Sequence, residues 1–249
     1  MIIVNADDFG RSRAETDAVV ACHEARRIAS TTAMVFMQDS ERAAEAALDF
    51  GIHAGLHLNL SQRFTGARVT DGLRRAHDRI VSFLGSSKYA LLVYNPFLRR
   101  QFQDVVEAQV EEFARLYGKP PSHIDGHQHL HLCANLLRDK FIPAGSRVRR
   151  NFSFWPGEKS ALNRYYRRRV DSILARDYSL VDYFFSLEDS LRTGRLERVF
   201  GLAESSTVEL MTHPVYPGEF QYLMSDAYMD RVRQLERSMP RASGSRVAR

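Results

Sequence analysis

The sequence predicts an α/β fold of mostly parallel strands with crossover helices, at a length that suits a single barrel. Three observations predict it. Short apolar runs alternate with helix-patterned stretches along most of the chain, as parallel strands joined by helices require. The polar motifs fall where those strands should end, and parallel α/β folds build their sites at the carboxyl ends of strands. The 249 residues are enough for one sizeable core. No linker or internal repeat divides them, so residues 1–239 are read as one domain and 240–249 as a disordered tail.

Ile2 to Val4 is a short apolar run, read as a buried strand that ends in the turn-rich stretch Asn5 to Gly10. Ser12-Arg13-Ala14-Glu15 has the capping-box pattern, so a helix is expected from there to about Arg27. Thr31 to Met37 reads as a strand, and Ser40 to Phe50 as a helix stopped by Gly51. From Ile52 to Leu60, apolar residues alternate with His53, Gly55, His57 and Asn59, which predicts a strand with one apolar and one polar face. Residues 61–95 show little pattern and read as an irregular lid or specificity loop.

Asn95-Pro96 is a cap followed by proline, and opens a strong helix. Its apolar stripe runs from Leu98 through Phe113 to Leu116, broken by Gln109, and Gly118 and Pro120 stop it. Ser122 to His131 reads as a strand running into a polar loop. Further elements are expected at Ala134 to Phe141 (helix), Arg147 to Arg150 (strand), Ala161 to Ala175 (helix), Leu180 to Phe185 and Val208 to Thr212 (strands), and Asp226 to Arg237 (helix).

The composition, 44% hydrophobic and 26% charged, is that of an ordinary globular protein. No apolar run is long enough to cross a bilayer. The start reaches Asp7-Asp8 without a basic region, so no signal peptide is expected. Cys22 and Cys133 form neither a disulfide framework nor a CxxC pair, and a reduced, cytoplasmic protein is the default expectation. The net charge of +5 is unevenly spread. Residues 1–60 carry nine acids against five bases, residues 147–169 eight bases against Glu158, and residues 231–249 six arginines against Glu236. Such basic runs attract polyanions or anionic surfaces, or are simply solvated helix faces and tails.

His123, Asp125, His127, His129 and His131 lie two apart, and would share one side of an extended chain. So many polar groups are costly to bury unless paired or metal-bound. Histidine is the commonest metal ligand, and a neighbouring carboxylate such as Asp125 often fixes its tautomer. His57 near the end of an alternating strand is either a hydrogen-bonded core residue or a ligand. Asp7-Asp8 is either a turn pair before a helix or a working pair, one carboxylate for metal and one for water. Pro214 pushes His213 toward extended geometry at a strand exit, which suits a catalytic or a structural histidine equally.

Taken together, Asn5-Ala6-Asp7-Asp8-Phe9-Gly10, Gly55-Leu56-His57-Leu58-Asn59-Leu60, His123-Ile124-Asp125-Gly126-His127-Gln128-His129-Leu130-His131 and Thr212-His213-Pro214 resemble the YdjC-like carbohydrate deacetylase family. The motifs come in the family's order and span residues 5–214. The resemblance implies a distorted (β/α) barrel related to polysaccharide deacetylases, and hydrolysis of the acetyl amide of an N-acetylated amino sugar. It implies one divalent ion, Mg or Zn, held by Asp8, His57 and His127, with Asp7 as base and His213 as acid. Asp125, His129, Asn59 and Arg149 are expected to support the ligands or touch substrate. Gln128 departs from relatives that carry histidine there, and residues 61–95 match nothing in the pattern. The expected partner is the acetylated sugar, phosphorylated or lipid-linked in view of the basic segment, with no nucleic acid, no transmembrane segment, and a homodimer as one arrangement. The rival readings are a metal-dependent phosphoesterase or other amidohydrolase, and a non-catalytic binder of an anionic glycan or nucleic acid.

Overall fold

A computed structural model describes residues 1–238; the expected tail at 240–249 lies outside them. The chain runs β1 (Ile2–Phe9), α1 (Arg13–Glu24), β2 (Ser30–Ala33), α2 (Ser40–Phe50), β3 (Ala54–Leu58), α3 (Asp71–Gly85), α4 (Arg99–Tyr117), β4 (Ile124–Gly126), α5 (Ala134–Asp139), α6 (Ala161–Leu174), β5 (Tyr183–Ser186), α7 (Leu187–Arg192), α8 (Leu196–Ala203), β6 (Val208–Thr212), α9 (Pro217–Met224) and α10 (Asp226–Ser238). All strand pairings are parallel, in the order β4-β3-β2-β1-β6-β5. This is the α/β architecture of mostly parallel strands that the alternation predicts.

The sheet curls because its two edges meet through irregular chain. Ile124 of β4 donates its N–H to Arg147 O and accepts from Arg149 N at 2.8 and 3.1 Å. On the other side of that segment, Val148 N bonds Ser179 O and Ser153 N bonds Phe184 O of β5. The expected strand at Arg147 to Arg150 is therefore a pair of isolated bridges rather than a regular strand. It nonetheless closes the hydrogen-bonded ring into a distorted barrel, and it places Arg149 in the interior.

Several expected boundaries change, each for a local reason. β1 runs on through Asn5 to Phe9 instead of turning, because every buried polar side chain there finds a partner. Ser12 makes no side-chain cap to α1, since its hydroxyl goes to the Glu15 carboxylate. β2 stops at Ala33, and Phe36 takes a left-handed backbone conformation. β3 is buried along its whole length, its two faces being the barrel interior and the helix layer. Residues 61–95 are not an irregular loop. They hold α3, capped by Thr70 and packed through His77, Ile80 and Leu84. A 3-10 turn at 96–98 precedes α4, with the Asn95 side chain accepting from Phe97 N, and the left-handed Gly118 ends α4. The short helices α7, α8 and α9 have no counterpart in the sequence reading.

Candidate active site

Alternation along β1 turns Asn5 and Asp7 to one face, and Asn5 Nδ2 donates to Asp7 Oδ1 at 2.9 Å. Regular geometry would send Asp8 to the other face. Instead the β1–β2 register shifts between Ala6 and Phe9, and Asp8 adopts a φ of 66°. A left-handed non-glycine residue costs about 1–3 kcal/mol and persists only where its surroundings hold it. Here the strain brings two adjacent carboxylates into one polar cluster.

Asp8 Oδ1 lies 2.8 Å from His127 Nδ1 and 3.2 Å from His57 Nε2. Its Oδ2 accepts from Arg11 at 3.1 Å. Burial works against the Asp8 charge, but the hydrogen bonds from His127 and His57 outweigh it and hold the carboxyl well below its usual range. His57 comes from β3, whose register pairs it with Asp125 of β4. Its Nδ1 meets Asp125 Oδ1 at 2.6 Å, which fixes the ring with Nε2 toward Asp8. Burial disfavours its charged form, yet Asp125 and Asp7 outweigh burial and push it up to about 10.

Arg149 ties the cluster together. It donates two hydrogen bonds to Asp7, at 2.6 and 2.7 Å, one to Glu209 at 2.6 Å, and lies 2.7 Å from Asp125. Phe184 covers its guanidinium at 4.8 Å. Burial would raise the Asp7 pKa, but Arg149 outweighs it, so Asp7 is held as a carboxylate. Thr32 Oγ1 fills the space between, 3.2 Å from Asp7 and 3.0 Å from Asp125. Asp7 Oδ2 has Arg149 as its hydrogen-bond partner and keeps one lone pair free for a proton.

Asp8, His57 and His127 each offer a ligand atom, all within 4.8 Å of one another. An ion bonded at about 2.0–2.2 Å to each donor sets neighbouring donors roughly 3 Å apart, as they are around Asp8 Oδ1. Asp7, Asp125 and Glu209 converge on one buried arginine, and Asp8 joins them through His57, so the cluster is acid-rich and electrostatically suited to a cation. The donor set therefore fits a divalent ion. Asp7, His57 and Asp125 also bring donor atoms within 4.8 Å of one another, but Arg149 already occupies both acids.

The other expected residues are placed differently. Thr212 pairs with Ala6, so His213 leaves β6 level with Asp7. It is partly exposed, with Nδ1 3.8 Å from Glu219 and its backbone N–H donated to Glu219 at 3.1 Å. Asn59 is not turned to the cluster. Its side chain accepts from Ser61 N and Gln62 N and donates to Gln62 O, shaping the turn after β3. Gln109, the polar break in the α4 stripe, grips the Asn59 backbone on both sides. His129 does not continue the alternation, because Gln128 and His129 are both left-handed. It packs edge-on against Phe152 and Phe184, at 4.5 and 5.7 Å. His123 and His131 are buried and neutral, pushed down by burial to about 3 and about 4. Sequence reasoning missed Thr32 and Glu209. Glu209 left a signal, a single acid inside the apolar run Val208–Thr212; Thr32 left none.

A family model described as YdjC-like protein matches residues 1–241. A chitooligosaccharide deacetylase of Proteus mirabilis is 27% identical, over 87% of this chain and 81% of its own. A carbohydrate deacetylase of Halalkalibacterium halodurans is 27% identical, over 94% and 93%, and one of Mus musculus 27%, over 87% and 78%. A solved Enterococcus faecalis structure, described as a candidate cellobiose-phosphate cleavage protein, superposes with a TM-score of 0.65 over 97% of this chain and 96% of that one, at 17% identity. That likeness concerns the fold.

Proposed function

The chain belongs to the YdjC-like family, and from that premise we propose that it is a metal-dependent carbohydrate deacetylase, hydrolysing the acetyl amide of an N-acetylated amino sugar. The observation that carries this reading is the Asp8 carboxylate facing His57 and His127 beside a second carboxylate, Asp7, held ionised by Arg149.

In this reading Asp8, His57 and His127 hold one divalent ion. Two imidazoles and a carboxylate favour zinc, and magnesium is the other candidate. Such an ion, when bound, polarises an amide carbonyl and lowers the pKa of water from about 15.7 toward roughly 7. Asp7 accepts the proton of the attacking water at its free Oδ2 lone pair. Arg149 keeps that carboxylate aimed, and its three acidic partners keep Arg149 in place. The amine leaves poorly unless protonated, and His213, at the β6 exit level with Asp7, supplies that proton. Water and amide are consumed; acetate and the free amino sugar are released. Asp125 orients His57.

No helix among the described residues is long and apolar enough to cross a membrane. Cys22 and Cys133 are buried free thiols, which suits the reducing cytoplasm.

Mass spectrometry of the purified protein, with zinc or magnesium and a panel of N-acetylated sugars, should show loss of a single acetyl unit. Asp7→Asn is expected to remove turnover while metal content stays near normal. Loss of metal instead would exchange the roles of Asp7 and Asp8.

A further inference from the structure

We infer that Arg11 is a positioning residue for the candidate metal site. It holds one oxygen of Asp8, so that Asp8 meets a divalent ion through the other oxygen alone, and Gln62 from the turn after β3 holds Arg11 in turn. The inference rests on the metal-dependent reading and adds what aims its carboxylate.

Both histidine nitrogens converge on the same oxygen of Asp8, Oδ1, with His127 Nδ1 at 2.8 Å and His57 Nε2 at 3.2 Å. The opposite oxygen, Oδ2, accepts from Arg11 Nη1 at 3.1 Å. Gly10 is left-handed at a φ of 82°, and the turn it makes brings Arg11 N to Asp8 O at 3.1 Å. Backbone and side chain of Arg11 therefore both grip Asp8. Arg11 Nε donates to Gln62 Oε1 at 2.9 Å. Gln62 is fixed by its own backbone: its N–H donates to Asn59 Oδ1 at 2.9 Å, and its carbonyl accepts from Asn59 Nδ2 at 2.6 Å. Asn59 is held by Gln109 of α4 and by His77 of α3. A continuous set of hydrogen bonds thus runs from two helices to the distal oxygen of Asp8. It gives the motif residue Asn59 a task although its side chain does not face the cluster.

A carboxylate can bind an ion through one oxygen or through both. Bidentate binding needs both oxygens free, and Arg11 occupies Oδ2. With one oxygen from Asp8, the protein supplies three ligands together with His57 and His127, which leaves positions open for water and an amide carbonyl. An arginine beside a cation site also repels the ion. That repulsion is weak here, because the Arg11 side chain is 30% exposed and Glu15 lies 3.6 Å from it. Asp8, by contrast, is buried and in a left-handed backbone conformation, so its orientation depends on the groups that hold it. Removing the partner of a metal ligand commonly lowers metal affinity about 10–100-fold. Positioning therefore outweighs repulsion, and loss of Arg11 should weaken metal binding rather than strengthen it.

The test titrates the metal-free full chain with cobalt(II) against a coloured chelator, and records the visible bands of the cobalt-loaded protein. Those bands are strong in four-coordinate sites and weak in six-coordinate ones. Arg11→Gln should weaken cobalt binding by about tenfold or more. Its bands at saturation should lose intensity, as Asp8 turns its second oxygen to the ion. Arg11→Lys keeps a charged donor without the planar fork, and should restore part of both. Gln62→Ala touches no ligand, and should weaken binding in the same direction by less. The double variant should bind no more weakly than Arg11→Gln alone, because Gln62 acts through Arg11. Gln62→Ala also carries the test if Arg11→Gln does not fold, which melting of the metal-free proteins shows. Equal or tighter cobalt binding in the folded variants, unchanged bands in Arg11→Gln, or additive losses in the double variant overturn the inference. A wild type that binds no cobalt overturns the metal-dependent reading and this inference with it. A wild type that binds cobalt no better than Arg11→Gln overturns the positioning role alone.

Discussion

At the scale of single residues, the cluster is governed by unequal numbers of buried charges. Arg149 faces three carboxylates and pairs with every one of them. Removing one side of a buried ion pair commonly costs 3–5 kcal/mol, because the remaining charge is left without compensation. Arg149→Met is therefore expected to destabilise the fold by about that amount, measured by urea unfolding, and to remove activity as Asp7 loses its anchor. Asp125 was legible within the histidine-rich stretch, whereas Asp7, Asp8 and His57 stayed open between a structural and a working role until the family resemblance assigned them. Thr32 was not legible, since a threonine in a strand is ordinary and its value here comes only from the two carboxylates that the barrel brings to it. Asn59 shows the opposite error. It stood in a polar motif, but its amide is used up by its own turn.

At the scale of elements, β3 and β4 approach so closely that a side chain at Gly55 has no room. An added Cβ would lie 2.5 Å from the His123 ring and from its backbone oxygen. His123 is itself fixed, accepting from Ser122 Oγ and reaching Asn5 Oδ1 at 3.1 Å. Gly55→Ala should thus push β3 and β4 apart, costing about 1–3 kcal/mol and shifting His57 from Asp8. Thermal melting and metal affinity measured on the same variant check both effects. The long periodic helices and the strands β3 and β6 were readable from apolar spacing. α3 was missed because its buried stripe includes His77, which reads as polar until its contact with the Asn59 carbonyl is known. The 147–150 segment read as a strand because its composition allowed one. Its backbone bonds neighbours on both sides, but without regular register.

At the scale of the whole molecule, burial of neutral histidines sets the acid limit of the fold. His123 and His131 sit near 3 and 4 in the folded state, against about 6.5 when unfolded. Their contribution is intact above about pH 6.5. It is lost as pH falls toward the folded values, because the unfolded chain takes up protons that the native state refuses. Each contributes at most about 1.4 kcal/mol per pH unit across that window. Melting temperature should fall progressively from pH 6.5 to pH 4.5, and less steeply in His123→Gln. The alternation of strands and helices made the parallel α/β architecture legible from sequence alone, while the distorted barrel was what the family resemblance implied. Its closure through the irregular chain around Arg149 was not legible, because that depends on backbone bonds between segments distant in sequence.

The central claim is that Asp8, His57 and His127 share one divalent ion. Elemental analysis of the purified chain, reloaded with zinc or magnesium and freed of excess, tests it most directly when set beside Asp8→Ala, His57→Ala and His127→Ala. The account predicts one ion per chain in the wild type and little in each variant, with folding retained by circular dichroism. Full metal content in all three folded variants would contradict it.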